Sequence, residues 1–188
     1  MVAVWHNGRH FDDNAYAVFL GYSVINGLGG MAMRRKDREV TDYRQIIEVL
    51  DAAHICHLGI NDNGHIYVVP VNYGFDTCKD ELFLYVHGAN EGRKLAAIRN
   101  SCEIGFEMEV NTGLLAASEA CAYTTRYKSV IGEGIAFELF DEAEKVKALS
   151  CIMKHETGKQ NWDFPSAAVE KTAVIKIKVL KISCKENK

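Results

Sequence analysis

The stretch that decides the fold runs from residue 67 to residue 94 and reads YVVPVNYGFDTCKDELFLYVHGANEGRK. It holds two runs rich in β-branched and aromatic residues, which favour strands, on either side of a polar loop. The second run ends at His87 and leads into Gly92-Arg93-Lys94, where a helical pattern begins. The N–H groups of a helix N-terminus and two adjacent cations suit a phosphate, and an apolar strand suits a flat ring. The stretch therefore predicts a site for a phosphorylated aromatic cofactor.

Strand and turn signals continue on both sides of this stretch. Residues 55–60 form a short apolar run that ends at Asn61-Asp62-Asn63-Gly64, a strong hairpin signal, and 65–75 is predicted as one strand. Pro70 cannot donate to a sheet ladder, so it marks an edge, a bulge or a place where a ligand replaces a neighbouring strand. Further strands are predicted at 81–87, 102–110, within 121–140 and at 172–184.

Three helices are predicted between these strands. One is capped by Thr41 or Asp42, one covers about 91–99, and one covers 141–155 with Asp141 as its cap. Many strands joined by hairpins, with a few helices, predict an α+β protein that is mainly β, an antiparallel barrel with helices packed outside. The segment 132–134, Gly-Glu-Gly, lacks the third glycine of a nucleotide fingerprint and is predicted as a bulge or bend.

The composition limits the class of protein. The 188 residues, 48% of them hydrophobic, are typical of one soluble domain. The net charge of -3 does not indicate binding to nucleic acid or to an anionic membrane. Six cysteines without a C-x-x-C pair predict reduced thiols and a cytoplasmic location. Residues 1–30 are predicted as a loosely ordered N-terminal extension and 31–188 as the globular domain. The apolar run 15–25 is too short to span a membrane.

Arg93 and Lys94 are the strongest candidates for a binding site. Cations in the first turn of a helix oppose its dipole, so they favour a bound anion over the alternative of an ordinary surface pair. His87, at a strand end, is either structural or a group that donates a proton to a reduced substrate or binds an anion. The basic run 34–36 is either a solvated segment or reaches a ligand.

A metal site is not expected. His54 and His57, with His65 further on, are the only clustered histidines in this part of the sequence. Strand alternation would place His54 and His57 on opposite faces, which prevents a shared site, and no cysteine pair completes a ligand set. We therefore expect the chemistry of the chain to come from an organic cofactor.

Five blocks of sequence, in order, resemble the flavin-binding split-barrel proteins related to pyridoxamine 5'-phosphate oxidase. Among these proteins the resemblance is closest to the 5-nitroimidazole resistance (Nim-type) branch, and it extends from about Met31 to Cys184. The blocks are Arg34-Arg35, Val68 to Gly74, Tyr85-Val86-His87, Gly92-Arg93-Lys94 and Ser129 to Gly134. The resemblance implies a six-stranded antiparallel split β-barrel with peripheral helices. It also implies a homodimer that binds FMN, or alternatively FAD, in a groove between the subunits.

The resemblance implies a role for each matching residue. Arg93 and Lys94 would hold the FMN phosphate, and Ser129 would approach the cofactor from a later strand. His87 would be catalytic, because it matches the histidine that Nim-type proteins place at the flavin, where substrate is expected. The remaining residues implied to line or flank the flavin ring are Val69, Pro70, Val71, Asn72, Tyr73 and Val86.

One departure from the oxidase bears on the substrate. The oxidase carries an arginine and a lysine on the strand that here covers residues 68–73, and a substrate motif rich in Arg and His near its C-terminus; neither occurs here. The resemblance therefore implies an FMN-dependent reductase of small aromatic compounds, with nitro groups of 5-nitroimidazole type as substrate, and so a flavoprotein of antibiotic resistance. The alternatives are a flavin-binding protein without catalysis and a haem-binding protein with His87 or His155 as axial ligand.

Overall fold

The computed structural model describes residues 4–6, 9–11, 34–79 and 81–188. The predicted N-terminal extension lies outside the described residues, apart from two short strands, β1 (Val4–His6) and β2 (Arg9–Phe11), which pair antiparallel. The apolar run 15–25 also lies outside them. In the part of the chain that the structure describes, no helix is both long enough and apolar enough to cross a membrane.

The rest of the described chain forms one sheet with helices beside it. The strands are β3 (Glu39–Val40), β4 (Cys56–Asp62), β5 (His65–Val71), β6 (Tyr73–Cys78), β7 (Glu81–Ala89), β8 (Glu103–Leu115), β9 (Thr124–Leu139) and β10 (Thr172–Asn187). The α-helices are α1 (Tyr43–Ala52), α2 (Arg93–Asn100), α3 (Glu142–Thr157) and α4 (Ser166–Glu170). Short 3-10 turns cover Lys36–Arg38 and Ala120–Ala122.

The sheet is antiparallel and has the strand order β5-β4-β8-β9-β10-β7-β6, with β3 paired to the end of β10. Its two edge strands, β5 and β6, are consecutive in the chain and are separated only by Asn72. The two edges therefore meet at Asn72 without pairing with each other. This unpaired junction of β5 and β6 at Asn72 is called the seam of the split barrel.

The expectation of six strands is wrong, because the sheet has eight. The run predicted as one strand, 65–75, is broken at Asn72 into β5 and β6, and the two-residue strand β3 was not predicted. The expected antiparallel α+β architecture is confirmed. Pro70 lies on the edge strand β5, which is one of the three positions that its missing N–H allows.

A continuous hydrophobic core fills the space that the sheet encloses. Alternate residues of the strands point into it, among them the fully buried Leu58 on β4, Leu84 on β7 and Met108 on β8. Helices α1 and α2 add their apolar sides to the same core. A second, smaller cluster joins the outer face of β7 to α3 through residues such as Tyr85 and Leu149. The residues predicted to bind the cofactor therefore lie on strands and helices that pack on one core.

Three glycines allow this frame to pack closely. A Cβ on Gly132 would collide with the ring of Phe106, and one on Gly134 would lie 2.6 Å from the carbonyl oxygen of Lys178. Opposite these glycines β10 carries a bulge, because its register shifts between Val179 and Lys181. The bulge therefore lies on β10, opposite the segment 132–134 where it was predicted, and 132–134 itself pairs with β8 without interruption. Gly74 has the same function under α3, whose backbone would collide with an added Cβ.

Candidate functional site

The N-terminus of α2 lies directly after β7, as the sequence predicted. The helix begins at Arg93, and its N-cap Gly92 has a φ of 123°, a conformation that residues with a side chain rarely adopt. Nothing lies within 4 Å of a Cβ built on Gly92, so the approach to the helix end is open. The first N–H groups of a helix have no partner within it, and the dipole favours an anion there.

Lys94 points from this helix end back towards β7. Its ammonium group donates a hydrogen bond of 2.8 Å to the carbonyl oxygen of His87. The close approach depends on Gly88, because a Cβ there would lie 3.0 Å from the Lys94 nitrogen. Partial burial lowers the pKa of the Lys94 amine. Since an ammonium has three donors, two remain for a ligand after the bond to His87.

Arg93 points the other way, towards the β4–β5 hairpin. Its Nε donates to Asp62 at 2.8 Å, and its guanidinium lies 4.3 Å above the ring of Tyr67. The side chain is still 58% exposed. Neither Asp62 nor Tyr67 was predicted as a partner of Arg93, although the hairpin signal at 61–64 places the acid near a strand end. The Asp62 carboxylate would compete with an anionic ligand for Arg93.

His87 stands where the two edges of the sheet meet. Val86, its neighbour on β7, pairs with Tyr73, the first residue of β6, so His87 is opposite the seam at Asn72. Val86 is buried in the core, and His87 is exposed on the other face of the strand. Desolvation and, after it, the charge of Lys94 lower the pKa of His87. A neutral imidazole can both donate and accept a hydrogen bond.

The residues implied to line a flavin ring fall into two groups. Pro70 and Asn72 are exposed at the seam, whereas Val69 is half-buried against the core. Val71 and Tyr73 are buried in it. A flat ligand at the seam would therefore meet the Pro70 and Asn72 side chains and the peptide groups that β5 and β6, as edge strands, leave unpaired.

Ser129 is separated from the other candidates. It pairs with Glu109 on β8. Because its neighbour Val130 points into the core, Ser129 lies on the outer face of β9. Strands β8 and β4 lie between Ser129 and the edge strand β5, a distance of roughly 14 Å at about 4.8 Å per strand. Along β9, Ser129 is also ten residues before Leu139, which lines up with His87 across β10. Within one chain, Ser129 is therefore far from the strand end beside the cations of α2.

In the basic run 34–36, Arg35 pairs with a neighbouring acidic side chain. Arg35 donates two hydrogen bonds to Asp37, of 2.8 Å and 2.5 Å, on the surface. This partner raises the pKa of Arg35, and the guanidinium holds the pKa of Asp37 at about 2. Arg35 is therefore satisfied by Asp37, and a role in holding a ligand would require this pair to open.

The histidines considered for metal or haem have other partners. His57 lies on the outer face of β4, where its Nδ1 is 3.3 Å from Glu107, and His54 lies 3.8 Å from Glu156. Among the described residues, no group of three potential ligands could hold a metal ion. His155 lies with both ring nitrogens against backbone carbonyls and its side chain only 3% exposed, so it cannot reach a haem iron.

The site and the fold have counterparts among known proteins. The family model described as pyridoxamine 5'-phosphate oxidase matches residues 42–186. The chain belongs to the pyridoxamine 5'-phosphate oxidase family. The match spans α1 to β10 and so includes the seam, His87 and the N-terminus of α2. No curated protein matches the chain.

Several solved structures have a similar fold over most of this chain. A protein from Bacteroides thetaiotaomicron, described as a candidate 5-nitroimidazole antibiotic resistance protein, is 28% identical with a TM-score of 0.68, covering 78% of this chain and 85% of that one. A flavocytochrome from Azotobacter vinelandii is 24% identical with a TM-score of 0.69, covering 84% and 72%. An FAD- and haem-binding protein from Mycobacterium smegmatis is 16% identical with a TM-score of 0.67, covering 80% and 74%. The latter two establish likeness of fold alone.

Proposed function

We propose that this chain is an FMN-dependent reductase of small aromatic compounds, and that its substrates carry nitro groups of 5-nitroimidazole type. Membership of the pyridoxamine 5'-phosphate oxidase family supports a flavin, and the 28% identity to a candidate 5-nitroimidazole resistance protein supports the substrate class. The flavin-binding unit in this proposal is the globular region 31–188.

The observation that carries the proposal is the contact between Lys94 and His87. It joins a histidine exposed at the barrel seam to a cation at a helix N-terminus, with a hydrogen bond of 2.8 Å. A phosphate at the end of α2 would meet the free N–H groups of the helix, the remaining donors of Lys94 and the exposed part of Arg93. The attached ring system would then extend towards the seam, where His87 and Asn72 are exposed.

The residues present fit a flavin phosphate at the end of α2. The open N-cap at Gly92 leaves room for an anion, and the helix end carries two cations, Lys94 directed towards β7 and Arg93 towards the β4–β5 hairpin. Asp62 is the acidic group that pairs with Arg93, and because the Arg93 side chain is 58% exposed this bond can rearrange. Bound FMN supplies the electrons for reduction, and the protein supplies orientation and protons. With its pKa lowered, His87 is neutral near neutral pH, so its N–H can donate a hydrogen bond that orients and polarises a substrate beside the ring.

We propose further that the protein is a homodimer with the flavin between two copies. The outer face of the sheet exposes large apolar side chains, with Ile66 87%, Val68 58% and Ile131 42% exposed. A groove of about 500 Å³ on this face has Gly59 and Gly105 among its lining residues. A second copy would cover this surface, and it could bring its own Ser129 to a flavin that the first copy's Ser129 does not reach.

Reduction of a nitroimidazole by the FMN-loaded protein tests the proposed function. The flavin is reduced without oxygen, metronidazole is added, and the return of oxidised flavin is followed by absorbance. One reduced FMN supplies two electrons, so the nitroso compound is the product sought by mass spectrometry. His87→Ala is expected to bind FMN and to lose turnover. His65→Ala, a change at another exposed histidine, is expected to leave both unchanged.

Each result decides between the proposal and its rivals. Flavin that stays reduced in the wild-type protein would refute the reductase and favour a carrier or sensor. Turnover that persists in His87→Ala would refute the role assigned to His87. A Soret band in the purified protein would favour haem instead.

A further inference from the structure

The guanidinium group of Arg93 is held at one edge and on one face. Its Nε donates a hydrogen bond of 2.8 Å to Oδ2 of Asp62, the last residue of β4. The group also lies 4.3 Å above the ring of Tyr67 on β5, a cation–π contact. The Arg93 side chain is 58% exposed, whereas that of Asp62 is 22% exposed. The arginine is therefore the partner that has room to move.

The turn between β4 and β5 holds Asp62 in place. The two turn residues, Asn63 and Gly64, have φ values of 54° and 87°, which is typical of a tight two-residue hairpin. The side-chain amide of Asn63 donates a hydrogen bond of 3.2 Å to Oδ1 of Asp62. The Gly64 N–H donates one of 2.8 Å to the side chain of Asn61. The Asp62 carboxylate therefore keeps a hydrogen-bond donor when Arg93 leaves it.

The bond between Arg93 and Asp62 is a single hydrogen bond. Arg35 and Arg99 each bind a carboxylate through two nitrogens, Nε and Nη2. Such paired hydrogen bonds are stronger and more specific in geometry than a single one. The Nη groups of an arginine carry four N–H donors, an arrangement that suits a phosphate. Of these three arginine–carboxylate pairs, the pair with Asp62 is therefore the one that a phosphate can open most readily.

The two cations at the start of α2 extend in different directions. Lys94 is bonded to the carbonyl oxygen of His87 on β7, whereas Arg93 is bonded to the β4–β5 hairpin. An anion at the open end of the helix meets the free N–H groups and Lys94. To turn its guanidinium group towards that anion, Arg93 must leave Asp62. Binding of a phosphate through Arg93 therefore includes the loss of this ion pair.

We propose that Asp62 is a positioning residue that retains Arg93 in the free protein, and that a phosphate recruits Arg93 by displacing the Asp62 carboxylate. Asp62 then sets how tightly the site holds a phosphate monoester, whose charge of about -1.5 to -2 at pH 7 exceeds that of a carboxylate. It has no effect on a ligand without a phosphate. The inference rests on the proposed function, because FMN is such an ester, but the contact of Arg93 with Asp62 belongs to the chain without cofactor.

The first test concerns the free protein. In ¹⁵N-labelled protein without flavin, the Nε–H signal of Arg93 is assigned as the one missing from Arg93→Lys, and its exchange with water is measured. Asp62→Ala should speed this exchange by about two- to fivefold, the factor that an exposed ion pair contributes. Asp76→Ala, which removes a carboxylate paired with Lys147 at 3.3 Å, should leave it unchanged. Equal exchange in Asp62→Ala and the wild type would overturn the proposal.

The second test compares FMN with riboflavin, which has the same ring system but no phosphate. Flavin fluorescence gives both dissociation constants. Asp62→Ala is expected to bind FMN about two- to fivefold more tightly than the wild type, because Arg93 no longer leaves a carboxylate, and to bind riboflavin equally well. A purely structural change at the hairpin would alter both affinities and would count against the proposal. FMN binding no tighter than that of the wild type would also overturn it.

A third variant shows whether Asp62 acts through Arg93. In protein that carries Arg93→Ala, the further change Asp62→Ala should no longer tighten FMN binding, because the two residues are coupled. Tightening of the same size in that background would mean that the carboxylate repels the phosphate directly, and would refute the retention of Arg93. If Asp62→Ala does not fold, Asp62→Asn, which keeps the shape of the side chain, replaces it in both binding comparisons.

The two proposals can fail separately. A wild-type protein that binds no FMN would refute the proposed function, while the exchange of the Arg93 Nε–H would still decide its contact with Asp62. Wild-type FMN binding that Asp62→Ala leaves unchanged would keep the proposed function and refute the retention of Arg93.

Discussion

Replacing Gly74 with alanine should detach α3 partly from the sheet. A Cβ at this position would lie 2.6 Å from the carbonyl oxygen of Cys151 and closer still to two neighbouring backbone atoms of α3, whereas ordinary contact begins at 3.4 Å. These atoms belong to helix backbone and cannot rotate away, so α3 must retreat by roughly 1 Å. A gap of that size removes about a quarter to a half of the contact energy across an interface.

The expected loss follows from what α3 buries. Its side chains Ala148, Leu149 and Ile152 are buried against the sheet. Burial of the two larger ones contributes about 1.5–3 kcal/mol each. Loss of part of this burial energy, together with strain in the displaced helix, should lower the free energy of unfolding by about 1–3 kcal/mol. Where nothing collides with the new methyl group, alanine in a strand is more stable than glycine by about 0.5–1 kcal/mol. A lower free energy of unfolding in Gly74→Ala would therefore indicate the collision with α3.

Gly59 provides the matched control, because it also lies in a strand but has room for a side chain. A Cβ there would meet only the Gly105 carbonyl oxygen, at 3.7 Å. Urea unfolding followed by circular dichroism should find Gly59→Ala as stable as the wild type or slightly more so, and Gly74→Ala clearly less stable. Equal stability of the two variants would refute the close packing of α3 on β6.

Two further substitutions test contacts around the site. Lys94→Met should raise the pKa of His87, since the positive charge of Lys94 contributes to lowering it, and NMR titration of the His87 ring would show this; an unchanged pKa would mean that the two groups do not lie together. Tyr73→Phe should lower the free energy of unfolding by about 0.5–1.5 kcal/mol, because the Tyr73 hydroxyl donates a 2.6 Å hydrogen bond to the Leu50 carbonyl in a buried position. A urea midpoint equal to that of the wild type would argue against that bond.

The sequence predicted the elements of this fold well because most of their signals are local. Asp141 caps α3 through a 3.0 Å bond from the Glu144 N–H, as expected from residue type, and α2 begins at Arg93, close to its predicted start at about 91. The break at Asn72 was missed, because β-prone residues continue on both sides of it and only the closing of the sheet requires a seam there. The strand count was wrong for that reason, and because a pair as short as β3 has no periodicity to detect.

The partners of the candidate residues were less predictable than the residues themselves. That Lys94 lies at a helix N-terminus follows from local sequence, but its bond to the His87 carbonyl depends on how α2 folds back along β7. Asp62 as the partner of Arg93, and the three carbonyls around His155, come from segments distant in sequence. Long-range contacts of this kind follow from topology, which residue patterns specify only indirectly.

The most direct test of the account is a titration of the purified protein with FMN, followed by flavin fluorescence. The wild type is expected to bind FMN, and Arg93→Ala/Lys94→Ala to bind it at least about a hundredfold more weakly, since each hydrogen bond to a charged group contributes about 1.5–3 kcal/mol. Arg99→Ala removes a cation from the other end of the same helix, where Arg99 pairs with Glu138 at 2.8 Å, and it should bind as the wild type does. Equal binding by the double variant, or a wild type that holds no FMN, would contradict the phosphate site at the N-terminus of α2.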